Sequence, residues 1–183
     1  MLDFVLKKWT LILPCLIAVT FSLFTISYFG WGKIDFGDTQ DYINGANAFL
    51  NHTPYPLRSI VHPMFRPPLF SYLISWVWVF FPQSVVAVKL MQCLFHAATV
   101  FIAYKTIYEV LRKKVPAFFG ASVVAINPLL AAHTIDFYTE PLHTFLCILA
   151  MYLLLKCLQT EKHLFPRALV TGIIFGLATL TRP

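Results

Sequence analysis

Long apolar runs separated by short polar segments make up most of this chain. Residues 9–32 carry no charge, and as a helix they measure about 36 Å, at about 1.5 Å per residue, which is enough to cross a hydrocarbon core of about 30 Å. Runs of this kind predict five membrane-spanning helices, over residues 9–32, 84–111, 115–133, 140–158 and 167–183. We therefore expect an all-α, polytopic membrane protein.

The first loop is the longest polar part of the chain. Residues 33–67 hold acidic and basic side chains among several prolines, and residues 68–81 are apolar but too short for a full span. We expect residues 68–81 to form a juxtamembrane helix that does not cross the bilayer. Residues 33–83 and a second, short loop at 134–139 then lie on the same outer side.

The basic residues support this topology. When residues 68–81 stay outside, the basic side chains at the opposite ends of the spans fall on the cytoplasmic side, as the positive-inside rule favours: Lys7, Lys8, Arg112, Lys113, Lys114, Lys156, Lys162 and Arg167. The first run is too long for a signal-peptide core and has no A-x-A site after it. The sequence thus predicts an inner (plasma) membrane protein with a cytoplasmic N-terminus.

Composition agrees with a membrane protein and excludes other classes. Hydrophobic residues make up 58% of the chain and charged residues 12%, against about 25% charged residues in soluble domains. The net charge of +6 is dispersed between apolar runs, which argues against a nucleic-acid partner. The cysteines lie inside apolar runs without paired ligand spacing, so neither a disulfide framework nor a zinc site is indicated.

Two aspartates open an amphipathic segment in the first loop. Its apolar face carries Tyr42, Ala46, Phe49 and Leu50, and its polar face carries Asp41, Asn44, Asn47 and Asn51. In a structural interpretation Asp38 is the N-cap and Asp41 a favourable acid in the first turn. In a functional one, either carboxylate is a general base at the membrane surface. Spacing alone slightly favours Asp41, which lies further along the polar face.

Two basic residues are candidate phosphate ligands. Arg66 lies among prolines that restrict its backbone, and its guanidinium could bind a lipid-linked phosphate bidentately or extend to lipid headgroups. Lys89 begins a stripe with Gln92, His96 and Thr99 on one face of the second span. Such polar groups should face a protein interior or a water-filled cavity. Lys89 is a second candidate for the phosphate, although lipid headgroups would also explain it.

The second outer loop supplies Asp136 and Glu140. Thr139 and Pro141 suit the first turn of a helix, so Glu140 has a structural role available. An acid that enters a membrane span is also a functional candidate. Both acids could bind a sugar hydroxyl, an acceptor amine or a divalent cation shared with the first loop.

A set of ordered motifs resembles the bacterial membrane glycosyltransferases of the GT-C fold, in the branch of protein O-mannosyltransferases and lipid A aminoarabinose transferases. The matching elements are, in order, Asp38, Tyr42, Ala46, Leu50, Pro54-Tyr55, Arg66-Pro67-Pro68-Leu69, Asn127-Pro128, Thr139-Glu140-Pro141-Leu142 and residues 176–183. The resemblance covers the chain but only the N-terminal part of such an enzyme. An odd number of spans ending in Arg182-Pro183 agrees with a fragment.

The resemblance implies a polyprenyl-phosphate-linked sugar donor and a glycan, lipid or protein acceptor at the periplasmic face. It implies that Asp38, four residues before Tyr42, is the catalytic base, although Thr39 stands where the family pattern has Glu. It also implies that Arg66 lies near the carrier phosphate and that Glu140 binds metal or substrate. Direct displacement with inversion at the anomeric carbon is the mechanism we expect. The rival hypothesis is a non-catalytic lipid-binding or transport-related protein, or an inactive remnant.

Overall fold

The computed structural model describes residues 2–34, 37–56, 66–159 and 164–182, with side chains from Trp9 onward in the first helix. Lys162, used above for orientation, lies outside the described residues. All regular structure in the described ranges is helical, which confirms the all-α prediction. The helices are α1 Leu2–Phe29, α2 Asp38–Leu50, α3 Pro68–Phe80, α4 Val85–Leu111, α5 Lys114–Ala125, α6 Pro128–Ala132, α7 Glu140–Leu158 and α8 Leu164–Thr179.

Within the described ranges, three helices are long and apolar enough to cross a membrane: Trp9–Phe29, Val85–Leu111 and Glu140–Leu158. They correspond to the predicted first, second and fourth spans. The apolar helices α3, α5 and α8 are shorter, with 13, 12 and 16 residues. At about 1.5 Å per residue α3 is about 20 Å long, which agrees with a juxtamembrane helix. The chain is an integral, multi-pass membrane protein.

The prediction of one continuous helix for the third span, residues 115–133, is wrong, because the structure has two helices there. The chain leaves the helix at Ile126, and the Asn127 side chain accepts hydrogen bonds from the N–H groups of Leu129 and Leu130, at 2.9 and 3.3 Å, which starts α6. Pro128 occupies the first turn of α6, where its missing N–H costs nothing. The last predicted span is displaced along the sequence, since α8 begins at Leu164 and ends at Thr179.

Helix α4 is the centre of the bundle, with α1, α5 and α7 packed against it. Helix α5 presents Ala117, Ala121 and Ala125 at intervals of four residues, and all three are fully buried. Small side chains at this spacing let two helix backbones approach closely, which favours association inside a membrane.

The polar stripe on α4 lies in the protein interior, as predicted. Lys89, Gln92, His96 and Thr99 are all buried. The Gln92 side-chain amide donates to the carbonyls of His133 and Tyr138, and His96 Nδ1 lies 2.8 Å from Ser22 Oγ. The stripe therefore links α4 to α1 and to the loop before α7.

Helices α2 and α3 pack together at one end of this bundle. Their contact is close at Gly45, where a Cβ atom would lie 2.5 Å from Ser71 Oγ and 2.7 Å from Tyr55 Cε2. Tyr42 and Ala46 of α2 are buried against Phe70 and Ile74 of α3, as the predicted apolar face requires. The first predicted loop is therefore an ordered part of the fold in its described residues.

Contacts along α4 show which loops share an end of the bundle. Near the start of α4, Lys89 contacts Gly30, which follows α1. Near the end of α4, the Glu109 carboxylate pairs with Arg112 and lies 2.6 Å from Lys156 Nζ of α7. The loop that follows α1 and the loop that precedes α7 consequently lie at the same end of the bundle, as the predicted topology requires.

Candidate functional site

A small polar pocket lies where the first turns of α2, α3 and α7 meet the end of α8. Its volume is about 110 Å³, and four of its lining residues are charged. The pocket is lined by Asp38, Tyr42, Arg66, Tyr138, Thr139, Glu140 and Arg182. The structure thus brings together Asp38, Arg66 and Glu140, three of the residues that the sequence analysis singled out.

The Arg66 guanidinium is held between two carboxylates. Its Nη2 atom contacts Asp38 Oδ1, and its Nε atom lies 3.5 Å from Asp41 Oδ2. The Arg66 carbonyl accepts a hydrogen bond of 3.2 Å from the Tyr55 hydroxyl. Pro67 and Pro68 follow directly and begin α3. Both ends of this arginine are therefore fixed, as the surrounding prolines predicted for its backbone.

The two aspartates differ in their access to the pocket. The Asp38 side chain is 37% exposed, whereas that of Asp41 is 5% exposed. The prediction that Asp41 lies on the exposed polar face of α2 is wrong, because its pairing with Arg66 lets the helix bury this carboxylate. The prediction that Asp38 is the N-cap is also wrong. Gly37 has that position, and Asp38 is the first helical residue.

A second ion pair closes the other side of the pocket. Arg182 Nη1 lies 3.2 Å from Glu140 Oε1. The end of α8 is fixed here by Leu180, whose carbonyl accepts from Leu69 N–H at 3.1 Å, and by Thr181, whose hydroxyl lies 2.8 Å from His143 Nδ1. Sequence reasoning assigned no role to Arg182. One sequence feature could have pointed to it: Arg182, like Arg66, is followed by a proline and lies next to an apolar helix.

Tyr42 contributes a neutral phenol to the pocket wall. Burial raises the pKa of Tyr42, and the charges of Asp38 and Glu140 act in the same direction, while Thr139 and the Arg66 charge partly oppose the shift. Tyr42 therefore keeps its proton at physiological pH and can donate a hydrogen bond to a bound oxygen atom.

Lys89 and Asp136 line a separate pocket of about 360 Å³, which also contains Lys33 and shares Tyr138 with the first pocket. Lys89 Nζ donates to the Gly30 carbonyl at 3.0 Å and to the Lys33 carbonyl at 2.5 Å. It therefore satisfies the Gly30 carbonyl next to the C-terminal end of α1, where a cation is favourable, and the Lys33 carbonyl in the loop that follows. A phosphate role for Lys89 and a substrate role for Asp136 stay predictions.

Replacing Lys89 with Met is expected to lower the free energy of unfolding by about 2 kcal/mol, because two hydrogen bonds from a charged donor are lost. Thermal unfolding of the purified protein in detergent measures this change. Lys105→Met, on the same helix and over the Phe101 ring, is the matched control and should have a smaller effect. Unchanged stability with weaker polyprenyl phosphate binding would instead make Lys89 a phosphate ligand.

The described residues contain no group of three or more His, Cys, Asp or Glu side chains arranged to hold a metal ion. In the first pocket the carboxylates of Asp38 and Asp41 contact Arg66, and that of Glu140 contacts Arg182. A divalent cation shared between the two loops stays a prediction.

Comparison with known families identifies the chain. The model of the dolichyl-phosphate-mannose-protein mannosyltransferase family matches residues 65–183, which is more than half of the sequence. The chain belongs to this family. Its members are membrane glycosyltransferases of the GT-C type, and the chain is related to the mannosyltransferases among them. The comparisons with curated proteins and with solved structures found no match to the chain.

The family match and the pocket overlap in part. Arg66, Glu140 and Arg182 lie inside the matched residues, whereas α2 precedes them. Asp38 therefore lies outside the residues that the family model matches, and it is connected to them by its contact with Arg66.

Proposed function

We propose that this protein transfers a sugar from a polyprenyl-phosphate carrier to a hydroxyl or amine acceptor at the outer face of a bacterial inner membrane. The proposal rests on one observation above all. An exposed carboxylate, Asp38, and two guanidinium groups, Arg66 and Arg182, line one pocket in a member of a lipid-phosphate-sugar transferase family. Such a pocket holds both a base and cations for a phosphate.

Asp38 is the catalytic base in this mechanism. Its side chain is accessible from the pocket, and a carboxylate can accept the acceptor proton as the acceptor oxygen or nitrogen attacks the anomeric carbon. Asp41 is the alternative base, but its burial leaves less room for an acceptor. A single displacement of this kind inverts the anomeric configuration.

Arg66 stabilises the leaving group. The bond from the anomeric carbon to the phosphate oxygen breaks with its electron pair, so the phosphate gains a negative charge. A fixed guanidinium next to this oxygen favours the transition state, because the charge it binds grows during the reaction. Arg182, held against Glu140, is a second cation in reach of the same pocket.

Exposed aromatic side chains support an interfacial position for this site. Helix α3 begins next to Arg66 and exposes Tyr72, Trp76 and Phe80. Aromatic rings of this type concentrate at the boundary between hydrocarbon and headgroups. A phosphate carried on a lipid lies at the same depth, so α3 would place Arg66 at the level of the donor phosphate.

The full-length protein in proteoliposomes, supplied with radiolabelled polyprenyl-phosphate sugars, tests this function. We expect transfer to an acceptor fraction, with an inverted anomeric linkage in the product. Product with the original configuration would overturn single displacement. Carrier binding without transfer to any acceptor fraction would favour the lipid-binding alternative and overturn catalysis.

A further inference from the structure

The contact between Asp38 and Arg66 places the proposed base on the proposed phosphate ligand. A carboxylate and a phosphate use the same N–H groups of a guanidinium, since both present paired oxygen acceptors. While Asp38 remains on Arg66, its Oδ1 atom is engaged and an N–H group of Nη2 is occupied. In the observed arrangement the proposed base therefore takes a position on the guanidinium that a bidentate phosphate would use.

The two carboxylates on Arg66 are not equivalent. Asp41 is buried in α2 behind the guanidinium, and it contacts the Nε side of Arg66. Asp38 lies at the start of α2, lines the pocket and contacts Nη2. An anion that enters from the pocket reaches the Asp38 side of the guanidinium and leaves the Asp41 side intact.

We infer that the donor phosphate replaces Asp38 on Arg66 while Asp41 keeps the guanidinium in place. The inference rests on the proposed function and deepens it, because donor binding itself then releases the base. Asp38 is free to accept a proton only when a donor occupies Arg66. An acceptor that arrives without a donor meets a carboxylate that is still paired.

The charge changes of the reaction favour the same exchange. The acceptor O–H or N–H bond breaks and its proton goes to Asp38, while a bond forms between the acceptor and the anomeric carbon. The bond from that carbon to the phosphate breaks, and the electron pair stays on the phosphate oxygen. Asp38 becomes neutral as the phosphate gains a charge, so the preference of Arg66 moves further toward the phosphate.

Affinity for polyprenyl phosphate, measured with the full-length protein in nanodiscs, tests the exchange. Asp38→Asn is expected to bind about fivefold more tightly than the wild type, because the competing ion pair no longer holds Arg66. Asp41→Asn is expected to bind more weakly, because Arg66 loses its fixed orientation. A mere reduction of negative charge near the pocket would instead tighten binding in both variants.

Equal or weaker binding by Asp38→Asn would overturn the exchange, and so would equal tightening by both variants. If Asp41→Asn does not fold, Glu109→Gln replaces it as the comparison. It removes a carboxylate at the other end of α4, next to Lys156, and should leave the affinity unchanged, whereas tightening equal to that of Asp38→Asn would overturn the exchange.

The same variants separate this inference from the proposed function. Opposite shifts in Asp38→Asn and Asp41→Asn, together with a wild type that transfers no sugar, would establish the exchange and overturn catalysis. Transfer that depends on Asp38, without tighter binding in Asp38→Asn, would overturn the exchange alone.

Discussion

Asp38→Asn is expected to lower the rate of sugar transfer by at least about a hundredfold at saturating donor. Asn keeps the size of the side chain but cannot accept a proton, and general base catalysis contributes a factor of about 10² to 10⁴. Because Asp38 is a partly exposed residue in the first turn of α2, the fold should tolerate the change. Single-turnover transfer in proteoliposomes, with labelled polyprenyl-phosphate sugar, measures the rate of the chemical step.

Asp41→Asn is the matched comparison, since it makes the same chemical change on the same guanidinium. We expect it to weaken donor binding while saturating donor restores most of the transfer rate. If Asp41→Asn abolished transfer at saturation and Asp38→Asn kept a tenth or more of the wild-type rate, Asp41 would be the base. The two variants therefore decide whether the base is Asp38, which the family resemblance implies, or Asp41, which spacing alone favours.

Long apolar segments made most of the helices predictable from sequence. Helices α4 and α7 lie within one residue of the predicted spans, because their runs end at residues that start or stop a helix. The third span failed for the opposite reason. Apolar residues flank Asn127-Pro128 on both sides, and hydrophobicity averaged over the segment did not reveal that the Asn127 side chain would cap a new helix there.

The errors at the site come from partners far away in the chain. Helical periodicity put Asp41 on the polar face, whereas its pairing with Arg66, 25 residues later, favours its burial. Arg182 drew no attention because its partner, Glu140, is 42 residues away. Local spacing did predict that Lys89 faces the interior, but the Gly30 carbonyl that it binds lies 59 residues earlier.

Arg66→Met is expected to lower the free energy of unfolding by about 2 kcal/mol and to abolish measurable transfer. Removing one partner of a buried ion pair costs about 3 to 5 kcal/mol, and the partial exposure of Arg66 and the length of its contact with Asp41 reduce this figure. The cost arises because the Asp41 carboxylate stays buried without its guanidinium. Thermal unfolding in detergent and the transfer assay measure the two effects separately.

The double variant Arg66→Met with Asp41→Asn distinguishes the structural role of Arg66 from its catalytic one. Most of the lost stability should return, since no buried carboxylate is then left without Arg66, and a double-mutant cycle gives the coupling between the two residues. Transfer should stay absent, because no guanidinium remains for the leaving phosphate. The more exposed pair of Arg182 and Glu140 is the control, with an expected coupling of about 1 kcal/mol or less. Transfer that recovers together with stability would show that Arg66 only supports the fold, and would remove it from the proposed phosphate site.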